Sequence, residues 1–158
     1  MKFEASPTRK IKYQALCWLR LKMRCPFIAT EVGAFSADVL GISEKRMIEV
    51  EVKVSLADLR ADFSKNKHWS YNRRSDYSWD VQWIPNQFYY AVPEELVEPA
   101  KKLLVEKGCD RYGIINSTDF TVVKRDGYLH KNLPTSHVKF SLALRMGSEL
   151  IRFHESWV

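Results

Sequence analysis

The feature that most constrains the fold is a strict alternation of side chains from Met47 to Val54. The apolar side chains are Ile48, Val50, Val52 and Val54, and the charged side chains between them are Glu49, Glu51 and Lys53. Because successive side chains of a β-strand point to opposite faces, this alternation predicts a strand with one packed face and one charged face. Half-exposed strands often carry such charges, so the Glu-x-Lys triplet gains meaning only from its neighbours.

The preceding segment brings an acid to that charged face. Phe35 to Ile42 is a second predicted strand, and the even-length turn at Ser43 to Arg46 sets Asp38 opposite Glu51. Directly opposed residues hold their Cβ atoms about 5 Å apart. Two carboxylates at that distance repel each other unless a proton or a cation lies between them. The pairing therefore predicts a bound divalent metal.

A third acid comes from the strand predicted at Phe27 to Val32. A two-residue turn at Gly33-Ala34 places Ala29 opposite Asp38, with Glu31 diagonal to Asp38 on the same face. Glu31 is thus a candidate third metal ligand.

The chemistry follows from these residue types. Hard oxygen ligands such as Asp38, Glu51 and Glu31 suit Mg²⁺ or Mn²⁺, with water and substrate phosphate completing the shell. Lys53, one pleat beyond Glu51, is predicted to meet the scissile phosphate or its attacking water. A metal lowers the pKa of a bound water, and a lysine adds positive charge for the same transition state. We therefore predict phosphodiester hydrolysis with Asp38, Glu51 and Lys53 as catalytic residues.

The other segments predict helices around this antiparallel meander. In order, the further predicted elements are a helix from Ser6-Pro7 to Cys25-Pro26, a helix from Ser55 to about Tyr71, an inserted loop at 72–86, a strand at Phe88 to Pro93, a helix at Glu95 to Lys107, two short strands and a C-terminal helix. The order at the core is αβββαβ, and 158 residues are the usual length of a single domain, 1–158.

Charge and cysteine content limit the classes of partner and site. The chain has 25 Lys and Arg against 19 Asp and Glu, a formal charge of +6, which favours a polyanion such as nucleic acid. Its three cysteines form no CxxC pair, so neither a disulfide framework nor a structural zinc site is indicated. No apolar run is long enough for a membrane span, and we expect a cytoplasmic protein without a membrane partner.

Two sequence segments resemble the Asp and Glu-x-Lys motifs of the PD-(D/E)XK nuclease superfamily. They are Ser36-Ala37-Asp38-Val39-Leu40 and Ile48-Glu49-Val50-Glu51-Val52-Lys53-Val54-Ser55. The residues that follow these motifs are similar, in their order, to those of the MmcB-like group of DNA-repair endonucleases. They are Ala57-Asp58, Ala61-Asp62-Phe63, Lys67, Tyr71 and Phe88 to Pro93. The likeness spans roughly Ile28 to Asn116; residue 37 is alanine instead of the motif proline, and the segment Arg73 to Pro85 is longer than in that group.

This resemblance implies a restriction-endonuclease-like α/β core, with a mixed central sheet flanked by helices. It implies that Asp38 and Glu51 bind the metal and that Lys53 is the catalytic lysine, with Glu31 a looser match. DNA is the implied substrate; RNA is not excluded, and a homodimer stays open.

Residues after the second motif mix cationic and aromatic side chains, as surfaces that follow a nucleic-acid backbone do. The predicted contacts are Lys65, Lys67, Tyr71, Arg73 and Arg74. A solvated helix end with a few core aromatics explains the same pattern, except for Lys67, which the family comparison favours. Glu49 is expected to be solvent-exposed, and Asp62 to be a supporting or a surface charge. The alternative function is a catalytically silent module with the nuclease fold that binds nucleic acid or protein.

Overall fold

The computed structural model describes residues 6–72 and 79–155. The helices are α1 Pro7–Cys17, α2 Leu56–Asp62, α3 Asn66–Asn72, α4 Val97–Glu106 and α5 Ser136–Glu155. The strands are β1 Phe27–Val32, β2 Ala37–Ile42, β3 Met47–Val52, β4 Gln87–Val92, β5 Gly113–Asn116 and β6 Thr121–Lys124. A π-helical turn, Trp18–Lys22, follows α1, and 3-10 turns lie at Trp79–Trp83 and Glu94–Leu96.

The six strands form a mixed sheet in sequential order. β1, β2 and β3 are antiparallel, β3, β4 and β5 are parallel, and β6 returns antiparallel to β5. Parallel neighbours need a crossover connection, which α2 and α3 supply between β3 and β4 and α4 supplies between β4 and β5. The predicted α/β class, with a mixed sheet flanked by helices, is confirmed.

The helices begin where the capping residues predict. Ser6 Oγ accepts a hydrogen bond from Arg9 N at 3.3 Å, and Pro7 occupies the first helical position. Ser55 Oγ accepts from Asp58 N at 3.1 Å.

The single helix predicted from Ser55 to about Tyr71 is wrong, because the chain breaks between α2 and α3. Ser64 Oγ donates to the Ala61 carbonyl at 2.7 Å, and the amides of Ser64 and Lys65 bond three residues back instead of four. A side chain that takes a helical carbonyl competes with the next turn of helix, so α2 ends here.

The helices cover the sheet unequally. Ile11, Ala15 and Leu19 pack on one face, against apolar side chains of β2 and β3. The crossover helices α2, α3 and α4 pack on the other face, over Phe88 and Tyr90. The charged face of β3 therefore lies beneath α2 and α3.

The last helix protects the edge of the sheet. Thr30 on the edge strand β1 donates its backbone N–H to Glu149 Oε1 at 2.8 Å, and its carbonyl accepts from Arg145 Nε at 3.1 Å. Val138 and Leu142 are buried against β1 and β2. An unpaired edge is a template for aggregation, and α5 removes it here. Within 6–72 and 79–155, no helix is long and apolar enough to cross a membrane.

The predicted turn between β1 and β2 is wrong. Residues 33–36 form a four-residue turn closed by Ser36 N donating to the Gly33 carbonyl at 3.1 Å, and Val32 pairs with Ala37. Gly33 has φ +86, and a Cβ there would lie 2.8 Å from the Trp83 ring, so glycine fixes this turn. Ala29 consequently lies opposite Leu40 instead of Asp38.

The register of β2 and β3 agrees with the prediction. Ile42 pairs with Met47 and Val39 with Val50, where the ladder ends, and Asp38 and Glu51 are the residues that follow this last pair. Of the predicted loop at 72–86, residues 73–78 lie outside the described residues, and Trp83 packs in the cluster that α5 covers.

Leu142→Ala tests the docking of α5. Leu142 is fully buried, so its truncation is expected to lower the free energy of unfolding by about 2–5 kcal/mol. Leu144, two residues along the same helix and 59% exposed, is the matched control, and Leu144→Ala should change stability by less than about 0.5 kcal/mol. Urea unfolding measures both, and equal shifts would contradict this packing.

Candidate active site

The charged face of β3 is buried. Glu49 and Glu51 are each 1% exposed, while Ile48, Val50 and Val52 point to the α1 side, so the predicted alternation of faces is confirmed. The expectation that Glu49 is solvent-exposed is wrong, because α3 lies over this strand and seals it from water.

A buried lysine compensates the two glutamates. Lys67 Nζ lies 3.0 Å from Glu49 Oε1 and 2.8 Å from Glu51 Oε2. The Tyr71 hydroxyl donates to the other oxygen of Glu49. Lys67 and Tyr71 are four residues apart, so both point from one side of α3 into the sheet. Both are buried, and the prediction that they contact a nucleic-acid backbone at the surface is corrected.

The pKa values reflect this pairing. Burial acts against the charged form of Lys67, but Glu49 and Glu51 outweigh it, so the pKa of Lys67 is raised. Burial favours the neutral form of Glu51, but Lys67 and Lys53 outweigh it and lower the pKa of Glu51. For Glu49, burial dominates and raises the pKa. The ion pairs therefore favour the charged forms of Lys67 and Glu51, whereas burial shifts Glu49 towards its neutral form.

Lys53 lies between two acids. Its Nζ is 3.0 Å from Glu51 Oε1 and 2.9 Å from Asp62 Oδ1. Lys65, from the break between α2 and α3, pairs with the same two oxygens, and its side chain is half exposed. Lys65 therefore lies at the solvent side of the site, and its role as a nucleic-acid contact stays a prediction.

Asp62 is the functional candidate that sequence reasoning undervalued. It is buried, and its Oδ2 accepts from Tyr90 at 2.7 Å and pairs with His68 Nε2 at 2.8 Å. Burial opposes its ionisation, yet His68, Lys65 and the other donors hold the pKa of Asp62 well below its ordinary value. An available signal was its spacing of three from the buried Leu59, which puts an acid on the inward face of α2.

Asp38 lies at the neighbouring strand end. Its Oδ2 accepts a hydrogen bond from Val52 N at 2.9 Å, and its Oδ1 lies 2.9 Å from Lys12 Nζ. Lys12, which comes from α1 and was not singled out in the sequence, also pairs with Glu31. Glu31 has a half-exposed side chain and a positive φ of 49, so it projects from the end of β1.

A cavity of about 450 Å³ joins these groups. Asp38, Lys53, Asp62 and Lys65 line it. Glu51 lies behind Lys53 and Lys65, in contact with both. Of the predicted catalytic residues, Asp38 and Lys53 therefore line one cavity, and Glu51 contacts Lys53 behind it. Arg73 and Arg74 lie outside the described residues.

The predicted metal ligands are all paired with lysines in this structure. Among the described residues, no three Asp, Glu, His or Cys side chains are grouped as metal ligands, and Glu31 is bound by Lys12. Mg²⁺ is often bound by one or two carboxylates, with water and substrate phosphates as the other ligands. Asp38 and Glu51 are the two predicted carboxylates, and Lys12 contacts Asp38 while Lys53, Lys65 and Lys67 contact Glu51. A cation held by these two residues would compete with the lysines for the carboxylate oxygens.

Comparisons with known proteins inform the fold alone. No family model matches the chain, and no curated protein matches it. A solved structure, the SPO1766 protein of unknown function from Silicibacter pomeroyi, is similar with a TM-score of 0.61 and 15% identity. The match covers 98% of this chain and 93% of that chain, so the two share their architecture over nearly their full length.

Lys67→Met tests the buried charge cluster. It leaves Glu49 and Glu51 without their shared cation, and breaking a buried ion pair in this way is expected to cost about 3–5 kcal/mol of unfolding free energy. Lys101→Met removes a lysine from an exposed pair with Glu98 and should cost less than about 1 kcal/mol. Chemical denaturation compares them, and a neutral Lys67→Met would refute the arrangement.

The lowered pKa of Asp62 predicts a pH-dependent stability difference. A depressed folded-state pKa stabilises the fold above the unfolded value of about 3.9, and this contribution is lost as the pH falls through the folded pKa. Asp62→Asn should therefore be less stable than the wild type at pH 7, and the gap should narrow towards about pH 2. Denaturant titrations across that range measure the difference in unfolding free energy between the two proteins. A difference that grows as the pH falls would contradict the prediction.

Proposed function

We propose that this chain is a Mg²⁺-dependent or Mn²⁺-dependent nuclease that hydrolyses phosphodiester bonds in DNA. The observation that carries the proposal is that Asp38 and Lys53 line one cavity, with Glu51 in contact with Lys53 directly behind it. These are the residues that resemble the PD-(D/E)XK motifs, and the core follows the αβββαβ order which that resemblance implies, with the second helix divided into α2 and α3.

The charges at the cavity suit a phosphate. Lys53 and Lys65 line it, and Lys12 contacts Asp38 at its margin. Positive side chains in a cleft attract and orient a polyanion, and the chain as a whole carries +6. DNA is therefore the substrate class we favour.

Each protein group has a distinct task in the proposed reaction. A divalent cation held by Asp38 and Glu51 would supply an activated water and would neutralise charge on the phosphate. Asp38 is oriented by the Val52 amide, which fixes one carboxylate oxygen and leaves the other towards Lys12. Lys53 presents an ammonium group beside Glu51, where it would stabilise negative charge developing on the phosphate oxygens.

Lys65 has a second task in this scheme. It is half exposed and covers Glu51 Oε1, so a bound cation would compete with its ammonium group for that oxygen. A displaced Lys65 remains at the cavity and would bind a phosphate beside the scissile one.

The test is cleavage of supercoiled, linear, single-stranded and branched DNA with Mg²⁺ or Mn²⁺. Asp38→Asn keeps an oxygen for the Val52 amide and removes the charge, and Lys53→Met keeps the aliphatic stem. Each variant should lower the cleavage rate by about a hundredfold or more, with its circular dichroism spectrum unchanged. Loss of one electrostatic stabiliser in a preorganised site has effects of this size.

Glu98→Gln and Lys101→Met are the matched controls, because they remove an acid and a lysine from an exposed ion pair on α4. Both should cleave at the wild-type rate. Cleavage that survives Asp38→Asn would rule out the assigned site. Mn²⁺ affinity that does not depend on Asp38, together with DNA binding and no cleavage, would support the silent binding module instead.

A further inference from the structure

A chain of hydrogen bonds runs from the core to Lys53. Asn72 Nδ2 donates to the Tyr112 hydroxyl at 3.1 Å, and that hydroxyl lies 2.9 Å from His68 Nδ1. His68 Nε2 is 2.8 Å from Asp62 Oδ2. Asp62 Oδ1 then lies 2.9 Å from Lys53 Nζ. Four buried or half-buried side chains thus lead to one ammonium group at the cavity.

The network assigns the proton positions. An ionised carboxylate only accepts hydrogen bonds, so His68 carries its proton on Nε2 and donates to Asp62. The other ring nitrogen, His68 Nδ1, is hydrogen-bonded to the Tyr112 hydroxyl, which accepts from Asn72. Both nitrogens of the His68 ring therefore have a partner.

The two oxygens of Asp62 have different roles. Oδ2 is fixed by two directed donors, His68 and Tyr90. Oδ1 is buried and lies within ion-pairing distance of the ammonium groups of Lys53 and Lys65. The two lysines at the cavity are therefore the partners of Oδ1, whereas His68 and Tyr90 are the partners of Oδ2.

We infer that Asp62, anchored by His68 and Tyr90, is a positioning residue that holds the Lys53 ammonium group beside Glu51 and facing the cavity. Lysine has a flexible four-carbon stem, so its placement depends on the groups that bind its head. Glu51 alone cannot fix that head, because Lys65 and Lys67 share its carboxylate. This inference rests on the proposed nuclease function, in which Lys53 stabilises charge on the phosphate.

Tyr90→Phe is the sharpest test, because it removes one hydroxyl from the anchor and keeps the ring in the core. Tyr89→Phe is a matched control on the same strand: the Tyr89 hydroxyl donates to Asp126, a carboxylate away from Lys53. Tyr90→Phe should lower kcat about tenfold and leave KM for DNA within about twofold, since loss of a supporting hydrogen bond misplaces a group that acts in the transition state. Tyr89→Phe should change neither constant.

A second variant and a second readout separate this inference from the nuclease proposal. Nitrogen-15 relaxation of the Lys53 ammonium group, assigned with Lys53→Met, reports its mobility without any substrate. Asp62→Asn and Tyr90→Phe should raise that mobility, and Tyr89→Phe should not. Unchanged mobility in both variants overturns the inference, whether or not the protein cleaves DNA. The wild-type protein could also cleave no DNA while its Lys53 ammonium group is restrained and Asp62→Asn raises its mobility. That result would support the positioning role of Asp62 and overturn only the nuclease proposal.

Discussion

The burial of two carboxylates on β3 is the constraint on which the rest of the site depends. Glu49 and Glu51 are removed from water by α3, and an unpaired buried charge costs several kcal/mol. Lys67 offsets this cost because its ammonium group forms ion pairs with both glutamates. The helix α3 therefore has to lie where Lys67 faces the sheet. The position of α3 and the charges of the two glutamates on β3 therefore depend on each other.

The same constraint explains the break between α2 and α3. A continuous helix would place successive inward side chains at a fixed spacing, whereas the turn at Ser64 changes the direction of the chain. Asp62 faces inward before the break, Lys65 lies over the cavity at the break, and Lys67 enters the core after it. Three charged residues within six positions thus reach three different depths.

Sequence periodicity predicted which residues share a face, but it did not predict what covers that face. The alternation along β3 and the even turn before it sufficed to predict the observed register, in which Ile42 pairs with Met47 and Val39 with Val50. The burial of Glu49 depends on where α3 packs, which is a tertiary contact that no local pattern encodes. The same limit applies to Lys67 and Tyr71, whose spacing of four residues gives a common side of the helix but not its direction.

The turn at 33–36 was beyond sequence reasoning for a different reason. A Gly-Ala pair between two strands is compatible with turns of two or four residues, and contact of Gly33 with the Trp83 ring accompanies the longer one. Trp83 is fifty positions away, so the choice is made by long-range packing. The shift moved Ala29 but kept Glu31 and Asp38 on neighbouring strand ends.

The electrostatic balance of the site bears on the proposed function. Among the described residues, two separate sets of ion pairs lie here. Lys12 pairs with Glu31 and Asp38, and the other set joins Lys53, Lys65 and Lys67 to Glu49, Glu51 and Asp62. With every lysine and carboxylate ionised, the first set carries one negative charge and the second set carries none. In the proposed nuclease, a divalent cation together with one phosphodiester group adds one positive charge, which would offset the excess acid of the set that contains Asp38.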